Sequence, residues 1–264
     1  MMNQIRENKN LIAQCVKKGG EISLRIMFGE ESPQIHEKYS GVLNEGDIIF
    51  INSRRTDCDS VMSIHKKGSI LSRYFMEFEK AGLNPFFSDE VMNEVNRIAA
   101  NPGIDDVNLS DYTAFPFVTI DNDGSKDLDQ AVFVSKNEGG YDIYYAIADA
   151  SYYVKPGSAL YNESIRRGAS YYLPGFSVPI LPAELSEGII SLNEGVQRRA
   201  LIFIIQINFS GEIVSSAVRR GRILSRAKLS YSGVQDFYSD RDTSPLDNRE
   251  YTESLVYLQE AGRI

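Results

Sequence analysis

The most constraining feature of this sequence is a cluster of four aspartates within nine residues: Asp121, Asp123, Asp127 and Asp129. Apolar segments with the residue types of β-strands flank the cluster, at 117–120 and 131–135. Residues two apart in extended backbone share a face, so the first two aspartates can converge, and so can the last two. Gly124 lets the chain fold back between the pairs. The pattern therefore predicts carboxylates gathered at one end of a sheet.

Such a cluster is typical of a cation site. Close carboxylates repel one another unless a cation compensates them, and Mg²⁺ prefers oxygen ligands. His36 and His65 are the two histidines of the sequence, and they have no ligand spacing, which favours Mg²⁺ or Mn²⁺ over zinc. A solvated turn is the plain alternative. A calcium loop of EF-hand type is excluded, because Gly124 falls at its fourth position and Val132 at its twelfth.

Hydrophobic patterning predicts an α+β fold, with a mixed or antiparallel sheet flanked by helices. A small β-rich region resembling a β-barrel is predicted over 1–75, a helical connector over 76–112, and the aspartate-bearing domain over 113–264. Strands are predicted at 22–26, 48–51, 60–64, 117–120, 131–135, 141–148, 200–209 and 212–224, and helices at 71–80, 89–100, 158–171, 230–238 and 247–262. The proline-rich stretch 173–182 is predicted to be extended and irregular.

Composition limits the function classes. The sequence has 28 lysines and arginines against 36 aspartates and glutamates, a net charge of −8, which argues weakly against a general nucleic-acid binder. It does not exclude a nuclease, because a metal site needs carboxylates. Cys15 and Cys58 make no disulfide framework. No apolar run suits a signal peptide or a membrane span, so we expect a cytoplasmic protein with no membrane partner.

Ordered blocks around the cluster resemble the RNB family of RNase II and RNase R exoribonucleases. The likeness is strong over 113–232. The blocks that carry it are Phe117–Asp121, Asp127–Asp129, Ala146–Ser151, Tyr153–Leu160, Arg166–Ser170, Tyr172–Pro174, Val178–Pro182, Glu184–Ser186 and Ser191–Asn193.

The resemblance implies a magnesium-dependent exoribonuclease that degrades single-stranded RNA from the 3′ end to nucleoside 5′-monophosphates. By position in the family motif, Asp121 and Asp127 would hold Mg²⁺, with Mn²⁺ as a substitute. Asp129 matches the aspartate most critical for cleavage. Tyr172 matches an aromatic residue that stacks on the terminal nucleotide of the RNA.

Two departures from the family pattern concern the cluster itself. Gln130 stands where the family has a fourth aspartate, and its side-chain carbonyl can bind Mg²⁺ without adding charge. Asp123, in turn, has no fixed counterpart in the commonest family pattern. We hypothesise that Asp123 supplies the missing charge. The rival hypothesis is a weakened or inactive site in an RNA-binding or scaffold protein of the same fold.

A third departure is length. The family's catalytic domain continues beyond the position of Ile264 into an arginine-rich block that contacts RNA, and this sequence has no such block. We therefore expect an incomplete chain, with the C-terminal half of the catalytic domain as a missing partner and with weak activity alone. The N-terminal region resembles part of an OB-type cold-shock domain.

Overall fold

The computed structural model of the protein describes residues 10–28, 41–52 and 61–264. The β-strands in chain order are β1 (Asn10–Lys18), β2 (Glu21–Ile26), β3 (Ile48–Asn52), β4 (Val61–His65), β5 (Ser110–Asp111), β6 (Phe117–Asp121), β7 (Gln130–Asn137), β8 (Gly140–Ala148), β9 (Tyr171–Leu173), β10 (Phe176–Val178), β11 (Gln197–Asn208) and β12 (Ile213–Ser230). His36 and Cys58 lie outside the described residues.

The helices are α1 (Ile70–Lys80), α2 (Asp89–Ala99), α3 (Ala150–Tyr153), α4 (Ala159–Arg167), α5 (Tyr231–Ser239) and α6 (Thr252–Gly262), together with a π-helical turn at Glu184–Ile189. Helix α4 ends earlier than the predicted 158–171 because Gly168 takes a positive φ of 71°, which stops the helix. Among the residues that the structure describes, we find no helix of the length and apolarity needed to cross a membrane.

The chain divides into two compact units: Met1–Met92 with Tyr171–Val178, and Asn93–Ser170 with Pro179–Ile264. The first unit contains an antiparallel sheet in the order β2-β1-β3-β4. Helix α1 covers one face of this sheet with Phe75 and Phe78. The stretch predicted to be irregular, 173–182, forms part of a short hairpin, β9–β10, in the same unit, so that prediction was wrong for residues 173–178.

The second unit is built on a sheet that closes on itself. Its order is β11-β8-β7-β6-β12-β5, and β11 also pairs with β12, which completes a ring of five strands. β12 runs parallel to β5 and β6, whereas the other pairs are antiparallel. Since α5 and α6 pack against this sheet, the predicted mixed sheet flanked by helices is confirmed.

Alternation along β6 separates the two faces of the ring. Val118 packs with Val234, Phe237 and Leu255 of helices α5 and α6. Phe117, the preceding residue, must then point to the opposite face, into the ring, where it is fully buried. Asp121 ends this inward-facing series, so the strand delivers its carboxylate to the rim of the ring.

A buried ion pair fixes the end of β8. Asp149 follows that strand, and its side chain is fully buried. Its Oδ2 lies 3.0 Å from Nε of Arg220 and 3.5 Å from Nε of Arg199. Removing one partner of a buried ion pair leaves the other charge buried without a partner, which usually lowers the free energy of unfolding by about 3–5 kcal/mol. The neighbouring Ala148 donates its backbone N–H to the carbonyl of Asp129 at 2.9 Å, so this fixed strand end also holds the aspartate cluster.

Candidate active site

The aspartate loop, residues 121–130, joins β6 to β7 at one rim of the ring. β6 and β7 are antiparallel neighbours, with Val118 opposite Val132, so both ends of the loop lie at the same edge of the sheet. The predicted delivery of the carboxylates to one end of a sheet thus has a structural basis. The orientation of each side chain then depends on the contacts within the loop.

Leu128 anchors the second half of the loop. Its side chain is buried, while Asp127 on one side is half-buried and Asp129 on the other is exposed. The Leu128 N–H donates to Oγ of Ser191 at 2.9 Å, and its carbonyl accepts the N–H of Leu192 at 2.9 Å. Leu128 is thus held by its buried side chain and by both of its backbone groups, while the flanking Asp127 and Asp129 keep solvent-accessible surface.

Asp121 organises the first half of the loop. Its Oδ1 accepts the N–H of Asn122 at 2.7 Å and the hydroxyl of Ser125 at 2.9 Å. Lys228, on the neighbouring strand β12, donates from Nζ to the carbonyls of Asp123 at 3.0 Å and Ser125 at 2.5 Å. The two halves of the loop are therefore held by separate sets of contacts.

Two neighbouring carboxylates act electrostatically on Asp129. Desolvation of part of its side chain raises the pKa of Asp129, and the negative charges of Asp127 and Asp121 raise it further. Both charges disfavour ionisation of Asp129 because like charges repel. Asp121 and Asp127 therefore both lie near enough to Asp129 for their charges to act on it.

The donor set suits a hard cation. All three side chains offer oxygen atoms, the ligands that Mg²⁺ prefers, and the repulsion at Asp129 is what a cation would relieve. Over residues 10–28, 41–52 and 61–264, no group of three or more His, Cys, Asp or Glu side chains is drawn together tightly enough to hold a metal ion. The chemistry of these three side chains nevertheless fits a magnesium site.

A pH-dependent stability follows from the raised pKa of Asp129. The charged form is disfavoured in the folded protein, so the Asp129→Asn variant should be more stable than wild type at neutral pH in the presence of a chelator. The advantage should vanish as the pH falls below about 4, the ordinary pKa of an aspartate, where both states are protonated. Urea unfolding between pH 3 and pH 8 measures the difference. A variant that is less stable than wild type at neutral pH would contradict the repulsion among these carboxylates.

The remaining predicted site residues have different surroundings. Gln130 is exposed at the start of β7, opposite Ile147. Asp123 is exposed, and the charges that act on Asp129 are those of Asp127 and Asp121. Tyr172 belongs to the first unit, in β9, and is 71% exposed.

Sequence reasoning missed the tethers of the loop. Lys228 lies more than a hundred residues from its acceptors, and Ser191 lies 63 residues from Leu128. Ser191 does stand in one of the family-like blocks, which is the signal that could have singled it out. Lys228 carries no comparable mark, because its role depends on β12 pairing with β6.

Comparisons with known proteins agree on the family and the fold. A model of the RNB domain matches residues 109–264. Ribonuclease R of Mycoplasmopsis pulmonis is 34% identical over 205 residues, covering 75% of this chain and 28% of the relative. Exoribonuclease 2 of Proteus mirabilis is 35% identical over 156 residues, covering 58% of this chain and 24% of the relative. The chain thus spans about a quarter of the length of these curated relatives.

A solved structure shows the same fold. Mycoplasma genitalium RNase R in complex with double-stranded RNA matches with a TM-score of 0.73 at 23% identity. The match covers 96% of this chain and 46% of that one. At this identity the likeness establishes the fold alone, and it agrees with the predicted architecture.

Proposed function

Because this chain belongs to the RNB domain family, as its sequence predicts, we propose that it carries the carboxylate centre of an exoribonuclease. The enzyme depends on Mg²⁺, with Mn²⁺ as a substitute, and degrades single-stranded RNA from its 3′ end to nucleoside 5′-monophosphates. The observation that supports the proposal is that the charges of Asp121 and Asp127 both act on Asp129, in the loop at one rim of the ring and inside the matched segment.

The candidate site residues have different roles in this reaction. Asp121 and Asp127 would hold the metal ion, which would polarise the phosphodiester and lower the pKa of the attacking water. Asp129, the most exposed of the three, accepts a hydrogen bond from that water and orients it. Tyr172 offers an exposed ring on which a base can stack. Stacking suits an enzyme that is indifferent to sequence, because every base has a π-face.

Hydrolysis of a 5′-labelled single-stranded RNA, with protein in excess over RNA so that the weak turnover expected of this chain alone is detectable, tests the proposal. With Mg²⁺, we expect labelled RNA that shortens stepwise from the 3′ end and release of nucleoside 5′-monophosphates. EDTA should stop both. Internal cleavage, or release of nucleoside 3′-monophosphates, would contradict the proposed reaction.

Gln130 favours a second candidate, an RNA-binding or scaffold protein of the same fold with a weakened or inactive centre. A neutral amide in place of a carboxylate lowers the negative charge available to a cation. Calorimetric titration with Mn²⁺ separates the candidates. The enzyme should bind Mn²⁺ and lose that binding in Asp127→Asn, whereas RNA binding with no divalent affinity in wild type would favour the scaffold.

Asp123→Asn tests whether Asp123 compensates for Gln130. We expect Mg²⁺ affinity to fall on the order of 10-fold, the lower range for changes around a metal site. In a Gln130→Asp background the loss should shrink, since the charge is then supplied at the family position. The measurement is the Mg²⁺ concentration for half-maximal RNA hydrolysis. Unchanged activity in Asp123→Asn alone would remove the compensation hypothesis.

We also propose that this activity operates in the cytoplasm, where single-stranded RNA of the kind it would degrade is turned over. Cell fractionation followed by detection of the chain tests this, and recovery outside the cytoplasmic fraction would contradict it.

A further inference from the structure

Lys228 reaches the aspartate loop from a different strand. It is exposed on β12, opposite Thr119 of β6, and its backbone N–H donates to Oε2 of Glu194 at 3.1 Å. Its side chain extends beside the loop, where Nζ donates to the carbonyls of Asp123 and Ser125. A residue held by its strand thus binds two carbonyls of one turn.

This turn has little apolar packing to hold it. Asn122, Asp123 and Gly124 are exposed, and a side chain added at Gly124 would meet nothing within 4 Å. The contacts that define the turn are polar: the two hydrogen bonds to Asp121 Oδ1, the bond from the Ser125 N–H to the carbonyl of Asn122, and the two from Lys228. Lys228 is the member of this set that ties the turn to a second strand, β12.

We propose that Lys228 is a positioning residue of the metal centre, which fixes the turn so that the carboxylate of Asp121 faces Asp127 and Asp129. This inference rests on the proposed function. It assigns Lys228 no contact with reacting atoms, because both of its acceptors are backbone carbonyls of the loop.

The direction in which one substitution changes the affinity for Mn²⁺ distinguishes a positioning role of Lys228 from a purely electrostatic effect of its charge. A positive charge beside carboxylates repels an incoming cation, so its removal alone would strengthen Mn²⁺ binding. Loss of a tether has the opposite effect, because Asp121 would have to be ordered when the ion binds. The Lys228→Met variant keeps an unbranched side chain only one atom shorter and removes both the charge and the donors.

Mn²⁺ binding to the 264-residue chain, followed by the paramagnetic resonance signal of the free ion, gives the first readout. We expect Lys228→Met to weaken binding by about 10-fold or more, as for other residues that orient metal ligands. Lys228→Arg should recover most of the affinity. The matched control is Lys136→Met, which removes a lysine paired with Glu260 in the same unit and should leave binding unchanged. Equal or tighter binding by Lys228→Met would overturn the proposal.

Hydrogen exchange without metal gives a second, independent readout. Amides of residues 121–129 should exchange faster in Lys228→Met than in wild type and Lys136→Met, since the turn loses its tie to β12. Unchanged exchange in this segment would contradict the proposal that Lys228 holds the loop in place. If wild type binds no Mn²⁺, the proposed metal centre fails, while faster exchange would still establish that Lys228 holds the loop.

Discussion

Replacing Asp129 by Asn is expected to lower the rate of RNA hydrolysis by about 10²- to 10⁴-fold, the range for loss of a positioned catalytic acid or base. The amide keeps the shape of the side chain and removes its charge. The backbone of the residue stays fixed, because its carbonyl still accepts the N–H of Ala148. The defect should therefore lie in the chemical step. Single-turnover hydrolysis of a labelled single-stranded RNA at saturating Mg²⁺ measures it.

Asp142→Asn is the matched control for this substitution. Asp142 lies on β8 near the opposite end of the β7–β8 pair, opposite Ser135, and its carboxylate accepts hydrogen bonds from Asn137 and Gln206. Its variant should keep wild-type turnover. Because Asp129→Asn should be no less stable than wild type at neutral pH, unfolding cannot account for its loss of activity. A variant that retained more than about half of wild-type turnover would contradict the catalytic assignment of Asp129.

Local sequence patterns predicted the elements that carry the candidate site. The apolar run before Asp121 and the run after Gln130 form β6 and β7, because alternating or β-branched residues suit a half-buried sheet. The loop between them could be predicted as well, because the residues that define it are close together in the sequence. Helices α1 and α2 were predicted for the same reason, since their apolar residues recur at helical spacing.

Elements that depend on distant partners could not be predicted in the same way. Strand β1 was missed because Leu11, Ile12 and Ala13 are consecutive apolar residues, so the segment has no clear alternation and becomes a strand through its pairing with β2 and β3. The π-helical turn at Glu184–Ile189 has no distinctive composition. The pairing of β11 with β12 closes the ring and thereby determines which side chains lie at its rim. No short sequence pattern predicts this pairing.

Gly140→Ala is expected to destabilise the second unit by on the order of 3 kcal/mol or more. Gly140 begins β8 and lies opposite Asn208 of β11, with a φ of +155°. A Cβ at this position would lie 1.9 Å from the carbonyl oxygen of Ile207 and 2.8 Å from Cα of Asn208. These are backbone atoms, so no side-chain rotation relieves the clash. The strands must separate, which opens the ring between β8 and β11.

Gly139→Ala tests the same turn without the clash, because the nearest atom to its Cβ would be Oδ1 of Asn137 at 3.5 Å, an ordinary contact. Thermal unfolding followed by circular dichroism should show a Tm lower by roughly 6–12 °C for Gly140→Ala, from about 2–4 °C per kcal/mol for a unit of this size. Gly139→Ala should melt close to wild type. Equal Tm values for the two variants would contradict the close approach of β8 and β11 at Gly140. The pairing of these two strands, which helps to close the ring that presents the aspartate loop, would then be absent at this position.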